Sequence, residues 1–369
     1  MISEFYEDLA NLAVNYAVGV KKGQRVAVVG PVIASELFQA IYAEVLKVGD
    51  HPSLIPQIEG TQELLYKYGS DEQLECVDNV RKMVINEFDC LINIFADYNP
   101  KKLSLVDPKK VAKSRGSPAN RELMKNYMER YAKGELNWVI VPFPCNAFAQ
   151  EANMDLFSYF DFVKKALLLD KDDLVKEWKD VEKKQDKLVE YLDKVEKIQV
   201  LGEDTDLTVS VKGRKWVNCC GHNNLPDGEV FTSPLEDSVN GHIRFTYPGI
   251  YGGREIENVY LEFKDGKVTK ATADKAEELL HEIIAIEGAK VLGEFALGTN
   301  YGVTDFTKNM LFDEKIGGTM HCALGAGPPE TGSTNESAIH WDILKDMTLP
   351  GSKVIADGKV IYEEGQWKI

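Results

Sequence analysis

No stretch of this 369-residue chain reaches the roughly 18 consecutive apolar residues that a transmembrane helix needs. Its six cysteines contain no CxxC pair, and Cys219 and Cys220 are adjacent, which suits neither a simple disulfide nor a zinc knuckle. Positive charge is short: 43 Lys and Arg stand against 59 Asp and Glu, a net of −16. So acidic a chain is a poor binder of nucleic acid or anionic membrane and is suited to holding divalent cations. GxxxxGK[ST], GxGxxG, GxSxG and HExxH are all missing, which removes phosphate-loop, dinucleotide-binding, serine-hydrolase-elbow and thermolysin-like readings. The opening MISEFYEDLA has acids where a signal peptide would have bases, so reduced thiols and a cytoplasmic location are expected.

Apolar material is ample. The chain is 44% hydrophobic and 28% charged, enough for about two domains at roughly 150 residues each. The first half alternates helix and strand signals. Helical spacing over 3–20 is followed by the apolar run RVAVVG at 25–30, a helix near 37–46 closed by Gly49, and strand runs at 53–58, 90–96 and 138–142. Mixed-charge helices are expected at 72–87 and 120–132. This pattern predicts an α/β fold with an N-terminal wound, mostly parallel domain over residues 1–195. Residues 171–197 read as one charged helix with a narrow stripe of Leu174, Trp178, Val181, Leu188, Tyr191 and Leu192, a connector that could also serve a second copy of the chain. From about 196 the texture becomes paired strands, with turns expected at Lys212-Gly213, Asp265-Gly266 and Asp357-Gly358 and a helix at 273–287. Residues 196–369 are expected to form a β-rich α+β domain that binds metal.

The chemistry concentrates in that second half. Read as a strand, SAIHWDIL (337–344) puts Ile339, Trp341 and Ile343 on one face and His340 and Asp342 on the other. Two metal-ligand types backed by an apolar face suit a rigid metal site. A solvated polar face is the competing reading, and an ordinary one. In GGTMHCALGAG (317–327), His321 is the only large polar side chain among apolar and small residues. Alone it reads as a core histidine; with His340 and Asp342 nearby in sequence, a shared metal fits. Glu229 follows a Pro-Asp-Gly turn, and Glu294 heads the otherwise uncharged LGEFALGTN. A carboxylate without a basic partner is costly to bury, so each is either exposed or offset by a cation.

These blocks carry a resemblance. DGEVFTSPLEDSVNG (227–241), EGAKVLGEFALGTN (287–300), LFDEKIGGTMHCALG (311–325) and NESAIHWDIL (335–344) resemble, in order, the signature blocks of the M29 metallo-aminopeptidases, the aminopeptidase T group. The resemblance implies an α/β domain followed by a distinct C-terminal domain, a homodimer, and two divalent ions (zinc, cobalt, magnesium or manganese). It also implies metal ligands at Glu229, Glu294, His321, His340 and Asp342, with Glu294 as the bridge. Three carboxylates and two imidazoles can hold two ions if one carboxylate bridges. One position departs from the family: a tyrosine seven residues after the HxALG histidine is Pro328 here, and the connection beyond it looks shortened.

Two reaction classes fit these residues. A two-metal aminopeptidase would draw its general base from Glu229 or Glu314, and Tyr301 of GTNYGV would replace the missing tyrosine as oxyanion donor. Alternatively, His321, His340 and Asp342 satisfy the two-His-one-carboxylate triad of mononuclear non-haem Fe(II), and ring-cleaving dioxygenases acting on dihydroxypyridines resemble the same scaffold. A metal-binding homologue with weak peptidase activity is a third reading, resting on Pro328. Glu229 and Glu294 discriminate, because an iron triad needs neither. The expected partners are a peptide or small-molecule substrate and a second copy of the chain.

Overall fold

The computed structural model describes residues 3–369, which gather into two compact units. One runs to Lys176 and takes in Gly221–Pro226; the other consists of Glu177–Cys220 and Asp227–Ile369. The charged helix, Leu174–Leu192, belongs from Glu177 onward with the second unit, because Leu188, Val189, Tyr191 and Leu192 pack on that unit's core. This part of its stripe is spent within the chain and is not left over for a partner. Among the described residues, no helix is long and apolar enough to cross a membrane.

The first unit is built on a four-stranded parallel sheet in the order His51–Gln57, Arg25–Pro31, Cys90–Phe95, Asn137–Pro142. Val26, Ala27, Val28, Cys90, Ile92 and Val139 are wholly buried, as parallel strands in a wound sheet are. The helix Ser35–Val48 ends at Gly49, whose φ of 97° lets its N–H reach the carbonyl of Leu46. The edge strand His51–Gln57 is largely exposed and contains Pro52 and Pro56. Two helices differ from their spacing. The opening one is α-helical over Glu4–Asn11 and continues as a wider π-helical turn, Leu12–Ala17. The stretch 72–87 forms two helices, Asp71–Glu75 and Asn79–Glu87, because Asp78 is extended and its carboxylate accepts the N–H groups of Val80 and Arg81, capping a new start.

The second unit holds two antiparallel sheets. The larger has eight strands in the order Lys267–Thr272, Tyr260–Lys264, Asn240–Arg244, Thr205–Ser210, Lys197–Gly202, Lys353–Ala356, Lys359–Glu363, Gln366–Trp367. Its hairpins at Asp265-Gly266 and Asp357-Gly358 put both turn residues at positive φ, as two-residue turns require. The first hairpin turns at Glu203-Asp204, where Gly202 pairs with Thr205 and Asp204 takes φ 44°, a conformation aspartate tolerates; the turn expected at Lys212-Gly213 is also present, with Gly213 at φ 73° and the N–H of Arg214 donating to the Val211 carbonyl at 3.0 Å. The helix expected at 273–287 is Glu277–Ile284.

The smaller sheet runs Val217–Cys219, Glu229–Thr232, Leu292–Gly298, Thr319–Gly325, His340–Asp346. Val230, Phe295, Met320, Cys322, Trp341 and Ile343 enter the core, so their chain neighbours point to the other face. Glu229 lies opposite Gly298, Glu294 opposite Ala323, Ala323 opposite Asp342, Gly325 opposite His340, and His321 opposite Ala296 and Leu344. Opposed residues share a face. Glu229, Glu294, His321, His340 and Asp342 therefore rise from one face of four adjacent strands. Gln185, on the helix Leu174–Leu192, holds the ends of this sheet. Its amide nitrogen lies 2.7 Å from Asn218 Oδ1 and 2.9 and 3.0 Å from the carbonyl oxygens of Cys219 and Glu229, and its oxygen accepts from Thr299 Oγ1 at 2.9 Å.

Phe295 is wholly buried and meets Trp216 edge-on, with ring centroids 6.2 Å apart. Phe295→Ala is expected to destabilise the fold by about 3–5 kcal/mol. Scanning calorimetry should show a transition lowered by several degrees; an unshifted transition would mean that Phe295 does not brace this core.

Candidate metal centre

Five side chains converge above the smaller sheet. His321 Nε2 lies 3.2 Å from Glu294 Oε1 and 3.4 Å from Glu229 Oε2. His340 Nε2 lies 3.7 Å from Glu294 Oε2 and 3.5 Å from Asp342 Oδ1. Glu294 thus presents one oxygen to each imidazole. The His340 ring is oriented by a 2.7 Å contact from Nδ1 to the carbonyl of Ala326, which leaves Nε2 facing the carboxylates. Each of the five residues that the family resemblance marks as a ligand lies in this cluster.

Lys315 was not singled out in the sequence, yet it stands at the centre of the next group. Its side chain is 1% exposed, and Nζ lies 2.5 Å from Glu229 Oε1, 3.0 Å from Glu314 Oε2 and 3.8 Å from Asp227 Oδ1. Gly228 makes this approach possible: it has φ 127°, and a Cβ there would fall 2.6 Å from Asn300 Cβ. Asp227 and Cys219 were also missed as neighbours of the site. The two-residue spacing of Asp227 and Glu229 offered a signal for the first; for Cys219 only strand pairing, Cys219 opposite Glu229, reveals it.

The ionisation of these groups follows from their crowding. Burial opposes charge on His321, but its bond to Glu294 and the charges of Glu229 and Asp342 outweigh it and raise its pKa to about 9. For His340 burial is again outweighed, by Asp342 and Glu294, and the value rises to about 10. Burial would raise Asp342, yet His340 and His321 bring it down to about 2. Burial dominates at Glu314, pushed up to about 8 although Lys315 opposes this. Burial and the charges of Asp227 and Glu229 push the Cys219 thiol well up. Without metal the cluster is a set of imidazolium–carboxylate pairs.

The donor set fits divalent cations. Ligand atoms around an ion bound at about 2.0–2.2 Å lie roughly 3–3.5 Å apart, close to the spacings of this cluster. Glu229 Oε2, Asp342 Oδ1 and His321 Nδ1 are buried without a hydrogen-bond partner among the described residues. Carboxylate oxygens left so are costly, and a cation between them removes the cost. Glu294, His340 and Asp342 offer ligand atoms within 4.8 Å of one another, and so do Cys219, Asp227 and Glu229.

Tyr301 is placed differently from its expected role. It is half exposed, and its hydroxyl donates to the carbonyl of Gly365 at 2.8 Å, on the C-terminal hairpin. A phenol has one proton to donate, so this hydroxyl is committed outside the carboxylate cluster. Pro328 precedes a short 3-10 turn, Pro329–Thr331, and its carbonyl accepts from the Thr331 hydroxyl.

The chain is 27% identical to Aminopeptidase 2 of Geobacillus stearothermophilus over 404 aligned residues, covering 97% of this chain and 96% of that protein. It is 27% identical to Aminopeptidase T of Thermus thermophilus, covering 97% and 95%. Its fold matches the solved structure of wild-type AmpT from Thermus thermophilus with a TM-score of 0.85 at 23% identity over the full length of both chains. A 2,5-dihydroxypyridine dioxygenase from Pseudomonas putida KT2440 shares the fold more loosely, with a TM-score of 0.59 at 14% identity, covering 100% of this chain and 97% of that one. The profile of the thermophilic metalloprotease family M29 matches residues 3–367, which includes every strand of the carboxylate cluster, and the chain belongs to that family.

Proposed function

We propose that this protein is a metal-dependent aminopeptidase that removes N-terminal residues from peptides, using two divalent ions held by Glu229, Glu294, His321, His340 and Asp342. The observation that carries the reading is the gathering of these five side chains on one sheet face, in a chain whose full-length relatives are named aminopeptidases. Charge supports two ions. With Glu314 set aside because its carboxyl is largely protonated near pH 7, Asp227, Glu229, Glu294 and Asp342 bring four negative charges and Lys315 one positive, leaving three, more than one divalent ion can offset.

When bound, such ions supply an acidified water as nucleophile and polarise the scissile carbonyl. The chain's own residues do the rest. Glu294 turns one oxygen toward each imidazole, which supports a bridging role for it. Glu229 is held by Lys315 through Oε1 and presents Oε2. Glu314 is held by Lys315 through Oε2, keeps Oε1 for a proton, and has a pKa near working pH, the property wanted of a general base. An iron triad of His321, His340 and Asp342 would leave Glu229 and Glu294 buried beside it with no role, so the geometry favours hydrolysis.

Metal analysis of protein purified without added metal is expected to find about two zinc, cobalt or manganese ions per chain; one iron would overturn the reading. His340→Ala and Asp342→Ala should each lose one ion while the protein stays folded, and Glu294→Ala should lose both. Full occupancy in these variants would show that the ligands lie elsewhere. Glu314→Gln should lower kcat on an aminoacyl p-nitroanilide by about 10²–10⁴ with metal content kept; unaltered kcat removes Glu314 as the base.

Proton release gives an independent check. With His321 and His340 raised to about 9 and 10, both rings are protonated near pH 7 before metal enters and neutral once they ligate. Metal binding should therefore expel about two protons and tighten as pH rises from 6 to 8. Titration calorimetry in buffers of different ionisation enthalpy measures the count; affinity indifferent to pH would exclude the imidazoles as ligands.

A further inference from the structure

We infer that Lys315 is a built-in cation occupying a third cation position of this site, where it keeps a divalent ion out and confines Glu229 to one ligating oxygen. The inference rests on the metal reading above and adds a residue and a purpose to it.

Cys219, Asp227 and Glu229 present one ligand atom each, all within 4.8 Å of one another, which are the donors of a metal site. The Lys315 ammonium sits among the two carboxylates, 2.5 Å from Glu229 Oε1 and 3.8 Å from Asp227 Oδ1, and it also takes Glu314 Oε2 at 3.0 Å. Its side chain is 1% exposed, and those of Asp227 and Glu229 are 2% and 6% exposed. Two carboxylates this dry need a positive charge between them. An ammonium and a divalent ion cannot share the space, so the lysine supplies that charge and excludes the ion.

The arrangement is held by backbone contacts. The Lys315 carbonyl accepts the N–H of Asn300 at 3.0 Å, and the Asn300 side chain donates to the carbonyl of Asp227 at 2.8 Å. Lysine, glutamate and aspartate are therefore presented by segments tied to one another, and the ammonium does not depend on a mobile stem for its position. The consequence falls on Glu229. A carboxylate with both oxygens free can chelate or bridge; with Oε1 taken by the ammonium it offers Oε2, the oxygen that lies 3.4 Å from His321 Nε2 and has no hydrogen bond among the described residues. That leaves bridging to Glu294.

Removing the lysine should convert the position into a metal site with Cys219 as a ligand, its thiol giving a proton to solvent as sulfur binds the ion. The test loads wild type, Lys315→Ala and Lys315→Gln with cobalt and reads stoichiometry and near-ultraviolet absorption. Wild type is expected to take up about two ions without a cobalt–thiolate charge-transfer band. A neutral variant is expected to take up a further ion and show the band, and adding Cys219→Ser should abolish the band. Lys315→Gln serves where alanine does not fold, since its side chain is polar but shorter and uncharged and leaves the two carboxylates without their cation. Two ions and no band in both folded variants would overturn the role of Lys315 while leaving the two-metal reading intact. A cobalt–thiolate band in wild type would overturn it without any variant. A wild type that binds no divalent ion would overturn the metal reading and this inference with it.

Discussion

Negative charge packed more densely than a folded chain can hold unaided is the constraint on which the second unit depends. Glu229, Glu294, Asp342 and Asp227 are each under a tenth exposed and lie within a few ångströms of one another's partners. Their mutual repulsion must be met by cations, and the molecule has protein cations at three places: His321, His340 and Lys315. On the reading proposed above, the two imidazoles would lose their protons to solvent as an ion binds. The lysine cannot, since its surroundings hold it charged well beyond its ordinary range. On that reading the site would combine exchangeable and permanent positive charge, and the backbone around it brings the acids together.

Small residues make that convergence possible. Gly293, Ala296, Gly298 and Ala323 stand between the functional side chains on the two central strands of the smaller sheet. A Cβ at Gly298 would come within 2.0 Å of the Ile316 carbonyl, and one at Gly293 within 2.5 Å of the carbonyls of Gly325 and Ala326. Close backbone approach here brings the Glu314–Lys315 turn beside the strand that bears Glu294.

Much of this could be read from residue order. His340 and Asp342 obey the period of two, and the structure keeps Trp341 and Ile343 on the opposite, buried face. His321 stood out as the lone large polar residue in a small, apolar run. Both Asp-Gly hairpins have local turn chemistry and appear as expected. What escaped depends on distance in sequence or on competition. Lys315 looked like one more charge beside Glu314, because nothing local announces that residues 86 positions apart will pair. Gln185 looked like part of a solvated helix face, although it is 2% exposed and satisfies groups on three other segments. The turn at Lys212-Gly213 appears as expected, whereas the hairpin turn at Glu203-Asp204 escaped because Asp204 needed only to tolerate positive φ. Tyr301 lies next in sequence to a site residue's neighbourhood, but its hydroxyl found a carbonyl on the last hairpin first.

Pro52 and Pro56, on the edge strand of the parallel sheet, have a consequence for how copies of this chain can meet. Successive backbone N–H groups of a strand point to opposite sides, so residues 52, 54 and 56 share one side. Prolines have no N–H and belong on the side away from the sheet. That outward edge is left with the single donor of Leu54. A seven-residue edge strand could template further strands and seed fibrils; with two of three outward donors removed, this one cannot extend its ladder into a neighbour. Association through this edge must therefore use side-chain surfaces, and this margin of the sheet is protected against runaway pairing when the protein is crowded.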